Sequence, residues 1–188
     1  MEEKVRKEVL EILKGSYEAV QRDDAKKLRE LSNQIIHAAA VYQDSGVIGL
    51  SVVVYGLSKS YERGDYKGFK DWARFHENVL SCLKEGYEYL VNGGEEGYEL
   101  ALKKLVAGID KLGSKLKVYI KEVMEKAHIN KGSRMYEHGV SVGRTAKLLG
   151  ISQWELMEYI GGTGIADVEE SVTLDVGQRL RYARGLFR

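Results

Sequence analysis

Proline is absent from this chain of 188 residues, so no segment carries the residue that most strongly breaks a helix. With Lys and Glu abundant, that absence favours an almost wholly helical protein. Cysteine is nearly absent too. Cys82 stands alone, which excludes an internal disulfide framework and suits a reducing, cytoplasmic setting. With no activating pattern around it, this thiol reads as a small buried apolar group. No charge sign dominates: the formal net charge is +1, so there is no global basic field, and any nucleic-acid site has to be local. The most apolar run, VIGLSVVVYGL at 47–57, is too short to span a bilayer. No signal peptide is expected ahead of the first charged helix, and no membrane contact is expected.

Catalytic and metal-binding patterns are missing as well. His37, His76, His128 and His138 form no His-x-x-x-His pair and have no cysteine nearby, so neither a metal nor another cofactor is expected. No Ser-His-Asp, Cys-His or paired-acid arrangement supports an enzyme class. A HEPN-type ribonuclease bundle would need a particular Arg and His spacing, which Arg29 with His37 and Arg134 with His138 both miss.

What is present is the balance of a globular protein of one or two domains, with 44% apolar and 30% charged residues. Val5, Val9, Ile12 and Val20 mark a first amphipathic helix. Asp23 or Asp24 can cap a second, striped by Leu28, Leu31, Ile35, Ala38 and Tyr42. After the turn residues Asp44, Ser45 and Gly46, the run 47–57 is apolar on every side. A buried strand is the alternative there, but no other segment looks like its partner, and a central buried helix is expected. A fourth helix is read from Phe69, Ala73, His76, Leu80, Leu83, Tyr87 and Leu90. Asn92-Gly93-Gly94 ends it, and two further stripes follow, on Tyr98, Leu102, Leu105, Ile109 and Leu112 and then on Leu116, Ile120, Val123 and Ala127. The segment YERGDYKGF has the flavour of a tetratricopeptide turn, yet no repeat at that period is evident. His76 lies inside an apolar stripe, so a hydrogen-bonded core cluster with Asn33 and His37 is expected, with a small-ligand site as the alternative. The polar segment Asn130-Lys131-Gly132-Ser133 is taken as a boundary. The fold expected is all-α, an N-terminal helical bundle over 1–130 serving dimerisation or partner binding, and a helix-turn-helix domain over 131–188.

The second part holds the one distinctive motif, VGRTAKLLGISQWELMEYIG. A helix-turn-helix needs a small residue where its helices cross, supplied by Ala146, and a glycine at the sharp turn, supplied by Gly150. Leu149, Ile151, Leu156 and Tyr159 fall where the crossing contacts are required, and only Thr145 matches poorly. Ser141 can cap the first helix, and Ser152 with Glu155 makes a capping box for the second. An ordinary helical hairpin with a glycine turn is the plain alternative. In the motif, the start of the second helix enters the major groove. That surface carries Ser152, Gln153, Trp154, Met157 and Glu158, and Gln153 can read adenine through paired hydrogen bonds. No Lys or Arg lies on this helix, so phosphate contacts are expected from Lys131, Arg134, Arg144 and Lys147, and from a basic C-terminal helix with Arg179, Arg181, Arg184 and Arg188. That last helix reads either as core-packing or as a basic arm.

Residues 135–165, MYEHGVSVGRTAKLLGISQWELMEYIGGTGI, resemble the helix-turn-helix core of a family of small prokaryotic antitoxins. The match rests on Ser141, Ala146, Gly150, Ile151, Ser152, Trp154, Glu155, Gly164 and Ile165. The resemblance implies autorepression of an operon and neutralisation of a PIN-like nuclease, while the long N-terminal region lies outside it. The function expected is transcriptional regulation by a homodimer binding double-stranded DNA, since one short helix touches too few bases for useful specificity. The alternative is an antitoxin-like interaction module, in which Trp154, Met157 and the C-terminal arm bind a nuclease or other protein partner.

Overall fold

The helical preference of a proline-free chain is realised in full in the computed structural model, which describes residues 1–62 and 64–163. Among these there are eight α-helices and no strand: α1 (Glu3–Gln21), α2 (Ala25–Tyr42), α3 (Ser45–Glu62), α4 (Trp72–Val91), α5 (Glu95–Gly108), α6 (Ser114–Glu137), α7 (Val142–Leu149) and α8 (Gln153–Gly162). Short 3-10 turns, Gly64–Gly68 and Ile109–Lys111, connect α3 to α4 and α5 to α6. None of the described helices is long and apolar enough to cross a membrane. The expected last helix, with Arg179, Arg181, Arg184 and Arg188, lies outside the described residues.

The apolar run at 47–57 is the central helix α3, buried on nearly all sides, which is why it carries no polar stripe. Asp44 starts it by accepting the N–H groups of Gly46 and Val47 at 2.9 and 3.1 Å. Of the two aspartates before α2, Asp24 is the cap, accepting from the Lys27 N–H at 2.8 Å. The fourth helix forms, but its buried face is rotated from the expected one. Trp72, Phe75, Val79, Cys82, Leu83, Gly86 and Leu90 face the core, so Leu83 and Leu90 are buried as expected, whereas Ala73 is exposed and His76 and Leu80 are only half-buried. The large rings of Trp72 and Phe75 remove more apolar surface from water than Ala73 and His76 would, and they set the rotation. Cys82 is buried as expected, and desolvation raises its thiol pKa.

The first six helices form two copies of one three-helix unit. Val5, Val9, Ile12, Leu13, Ser16 and Val20 on α1 recur in spacing as Phe75, Val79, Cys82, Leu83, Gly86 and Leu90 on α4, each pair 70 residues apart. Leu28, Leu31, Ser32 and Ile35 on α2 correspond likewise to the buried Tyr98, Ala101, Leu102 and Leu105 on α5. On α3 and α6 the pairs are Gly46 with Leu116, Leu50 with Ile120, Val54 with Met124 and Leu57 with Ala127. Even the turns agree: Asp23 and Gly93, again 70 apart, both have left-handed backbone, with φ of 53° and 78°. The copies are joined by α1 packing on α4 and α3 packing on α6. One difference matters below: α2 packs along α3, whereas α5 stands away from α6 and meets it through the 3-10 turn.

The boundary expected at residue 130 is not a break. Asn130-Lys131-Gly132-Ser133 lies inside α6, which runs unbroken from Ser114 to Glu137. Lys131, Gly132 and Ser133 are buried, so these small and polar residues, which look like linker in the sequence, are packing surface. Helix α6 thus belongs both to the second three-helix unit and to the platform on which α7 and α8 sit.

Candidate functional site at α7 and α8

The pair α7–α8 is fixed by its ends. Ser141 Oγ accepts from the Arg144 N–H at 3.3 Å and starts α7. Gly150, at φ 66°, ends it in the left-handed region that costs an L-residue about 1–2 kcal/mol. The next N–H, of Ile151, returns to the Ala146 carbonyl at 3.1 Å. Ser152 Oγ then accepts from the Trp154 N–H at 3.2 Å, while Glu155 accepts from the Ser152 N–H at 3.1 Å, closing the expected capping box.

The inner faces of both helices are consumed by packing. Ala146, Leu149, Leu156 and Ile160 are buried, and Tyr159 accepts a hydrogen bond from the Asn130 amide at 3.2 Å. A residue that sequence reasoning took as linker makes this seat. At Gly132 a Cβ would come within 3.0 Å of Leu149 and 3.1 Å of Leu156, so a larger residue would require those side chains to shift before the pair could settle this closely on α6. Thr145, the one poor match, is fully buried, and its hydroxyl has no partner among the described residues.

The outer face of α8 has no such partners among the described residues. Trp154 is 80% exposed and Met157 52%, and Gln153 and Glu158 are exposed beside them. Ser152, Gln153, Trp154 and Met157 are therefore brought onto one surface, with the Gln153 amide lying against Gly143 at the start of α7. Arg144 and Lys147 are exposed on α7. Arg144 Nε donates to Gln43 Oε1 at 2.8 Å, so this side chain also ties the pair to the end of α2. Arg179, Arg181 and Arg184 fall outside the described residues.

Of the cations expected to face phosphate, Arg134 stays exposed on α6 and Lys131 is placed otherwise. Arg134 pairs with Glu137 at 2.7 Å. Lys131 is fully buried: its Nζ donates to Asn33 Oδ1 at 3.1 Å and to the Ser32 carbonyl at 3.4 Å, and lies 4.6 Å from the centre of the Tyr55 ring. Burial, with a smaller contribution from Arg134, lowers its pKa from 10.5 to about 8. The cluster expected around His76 is also rearranged. His76 Nδ1 shares a 2.8 Å hydrogen bond with the Tyr61 hydroxyl, Asn33 serves Lys131, and His37 stands edge-on to His138 at 5.5 Å. No group of three His, Cys, Asp or Glu among the described residues is placed to hold a metal ion. Comparison with family models, with curated proteins and with solved structures finds no match to this chain.

Proposed function

We propose that the chain is a DNA-binding transcriptional regulator, with α7 and α8 as its helix-turn-helix. The observation that carries this reading is the division of α8 into two faces. Leu156 and Ile160 are spent on packing, whereas Trp154 and Met157 project with nothing in the described chain to cover them and Gln153 is exposed beside them. Gln153 supplies a bidentate donor and acceptor for adenine, and Lys147 and Arg144 supply phosphate contacts from the preceding helix. A helix of ten residues reads too few bases alone, so the regulator acts as a homodimer on a palindromic site, with the bundle holding the two copies.

The test is binding of the full chain to duplex DNA from its own upstream region and to a scrambled duplex, at low and high salt. Gln153→Ala is expected to narrow the preference between the duplexes. Lys147→Ala should weaken both equally and flatten the salt dependence. Lys147 is the cleaner phosphate probe, because Arg144 also holds Gln43. Equal losses on both duplexes from both variants would overturn these roles.

A second reading rests on Trp154. An aromatic side chain that is 80% exposed, on a helix with two glutamates and no basic residue, suits the core of a protein interface. In that case the pair is an antitoxin-like module binding a nuclease or other protein. Trp154→Ala would then release the partner from a stoichiometric complex, and the chain would show no preference between the duplexes.

A further inference from the structure

A cavity of about 510 Å³ opens between α3, α5 and α6, within the size range of small-molecule sites. Its walls are Val52, Val53, Leu102, Val106 and Met124, with His128 beside them. Ser45 Oγ donates to Glu99 Oε1 at 3.0 Å across one end. The charged groups along it are already matched: Glu99 has Lys103 at 3.7 Å, and Asp110 has Lys117 and Lys121 at 3.0 and 2.7 Å. The space therefore suits an uncharged guest.

Gly49 forms the floor, and packing does not account for it. Helix α3 has two other glycines whose reason is plain. A Cβ at Gly46 would fall 2.9 Å from the Tyr98 ring, and one at Gly56 would collide with the Met124 sulfur. A Cβ at Gly49 would meet only Leu102, at an ordinary 3.8 Å. Glycine inside a helix weakens it, and here no close approach among the described residues requires it.

The repeat supplies an internal comparison. The residue equivalent to Gly49 in the second unit, 70 positions on, is Tyr119. Its ring packs against the core and its hydroxyl donates to the Lys59 carbonyl on α3 at 3.3 Å. Where one unit provides a phenol ring from its own chain, the other provides a glycine and an empty cavity, widened because α5 stands off α6. His128 adds an acceptor. Its Nδ1 lies 2.8 Å from the Met124 carbonyl, and since a carbonyl only accepts, Nδ1 carries the hydrogen, so in the neutral form of an imidazole the acceptor is Nε2.

We propose that the cavity above Gly49 binds a small uncharged aromatic molecule carrying a hydroxyl, whose ring takes the place that the Tyr119 side chain takes in the other unit, with the hydroxyl donating to His128. This site belongs to the bundle and stands whether or not α8 contacts DNA.

The test is a two-dimensional amide NMR titration of the full chain with p-cresol, the phenol that a tyrosine side chain ends in. Saturable shifts are expected at Gly49, Leu102, Val106 and His128, with a Kd on the order of 1 mM or tighter for so few atoms. Gly49→Tyr, which fills the cavity from within, should weaken binding at least about tenfold and leave the thermal midpoint unchanged or raised. Tyr119→Gly should create a second set of shifts around Lys59. No saturable shifts up to about 10 mM, or saturable shifts confined to other surfaces, would overturn the proposal in the unmodified protein alone, even if a variant fails to fold. Undiminished binding by folded Gly49→Tyr would also overturn it.

Discussion

Replacing Lys131 with Met is expected to stabilise the protein at neutral pH, and to do so less as the pH rises. The Lys131 ammonium is fully buried, and no carboxylate among the described residues pairs with it. Its compensation is two hydrogen bonds and the face of the Tyr55 ring. With a pKa of about 8 in the folded chain against the ordinary 10.5, keeping it charged near pH 7 costs on the order of 3 kcal/mol relative to an exposed lysine. Methionine fills similar volume without the charge, and Asn33 is exposed and finds water, so a gain of about 1–3 kcal/mol is expected near pH 7. Because the folded pKa is the lower one, the unfolded chain holds more protons between about pH 8 and about pH 10.5, and stability from this group rises with pH across that window. By about pH 9.5 the lysine protein regains about 2 kcal/mol relative to the variant. Urea denaturation of both proteins near pH 7 and near pH 9.5 measures this, and the difference between them cancels the other titrating groups. A variant less stable at neutral pH, by an amount that does not change with pH, would refute a buried, unpaired ammonium.

Three smaller changes test the seat of α7 and α8. Thr145→Val removes a buried hydroxyl that has no partner among the described residues and should raise stability by about 1 kcal/mol in urea denaturation. Gly150→Ala puts a Cβ at φ 66° and should lower the thermal stability by about 1 kcal/mol; an unchanged midpoint would mean that the turn relaxes to another conformation. Gly132→Leu drives a side chain into Leu149 and Leu156. It should cost about 1–3 kcal/mol, and limited proteolysis should cut α7–α8 before the bundle.

Much of this architecture was legible because local patterns carry it. The stripes on α1, α2 and α5, the all-round apolarity of α3 and the caps at Asp24, Ser141 and Ser152 depend on residues within a turn or two of one another. The face of α4 is ambiguous in the sequence because two overlapping stripes are available there, and burial of the large Trp72 and Phe75 rings decides between them. The repeat is hidden in the sequence because it is one of burial and spacing. Gly46 answers to Leu116 and Ser16 to Gly86, pairs that share a position in the packing and little chemistry. At the candidate site, the outward residues of α8 could be named from the motif, since they are what remains once the inner positions are assigned. The roles of Arg144 toward Gln43 and of Gly132 under Leu149 could not, for each joins residues far apart in the chain.

By itself the sequence determined that this protein is helical, where most of its helices begin and end, and that one pair near its end is built around a glycine turn. Those properties follow from the dihedral preferences and hydrogen-bonding needs of neighbouring residues. Only the tertiary structure decided that Asn130-Lys131-Gly132-Ser133 is helix and not linker, that Lys131 is sealed inside while Trp154 is left outside, and that Gly49 faces a cavity where Tyr119 fills its own place. Burial is a property of what other segments bring to a residue, and short-range pattern carries no record of it.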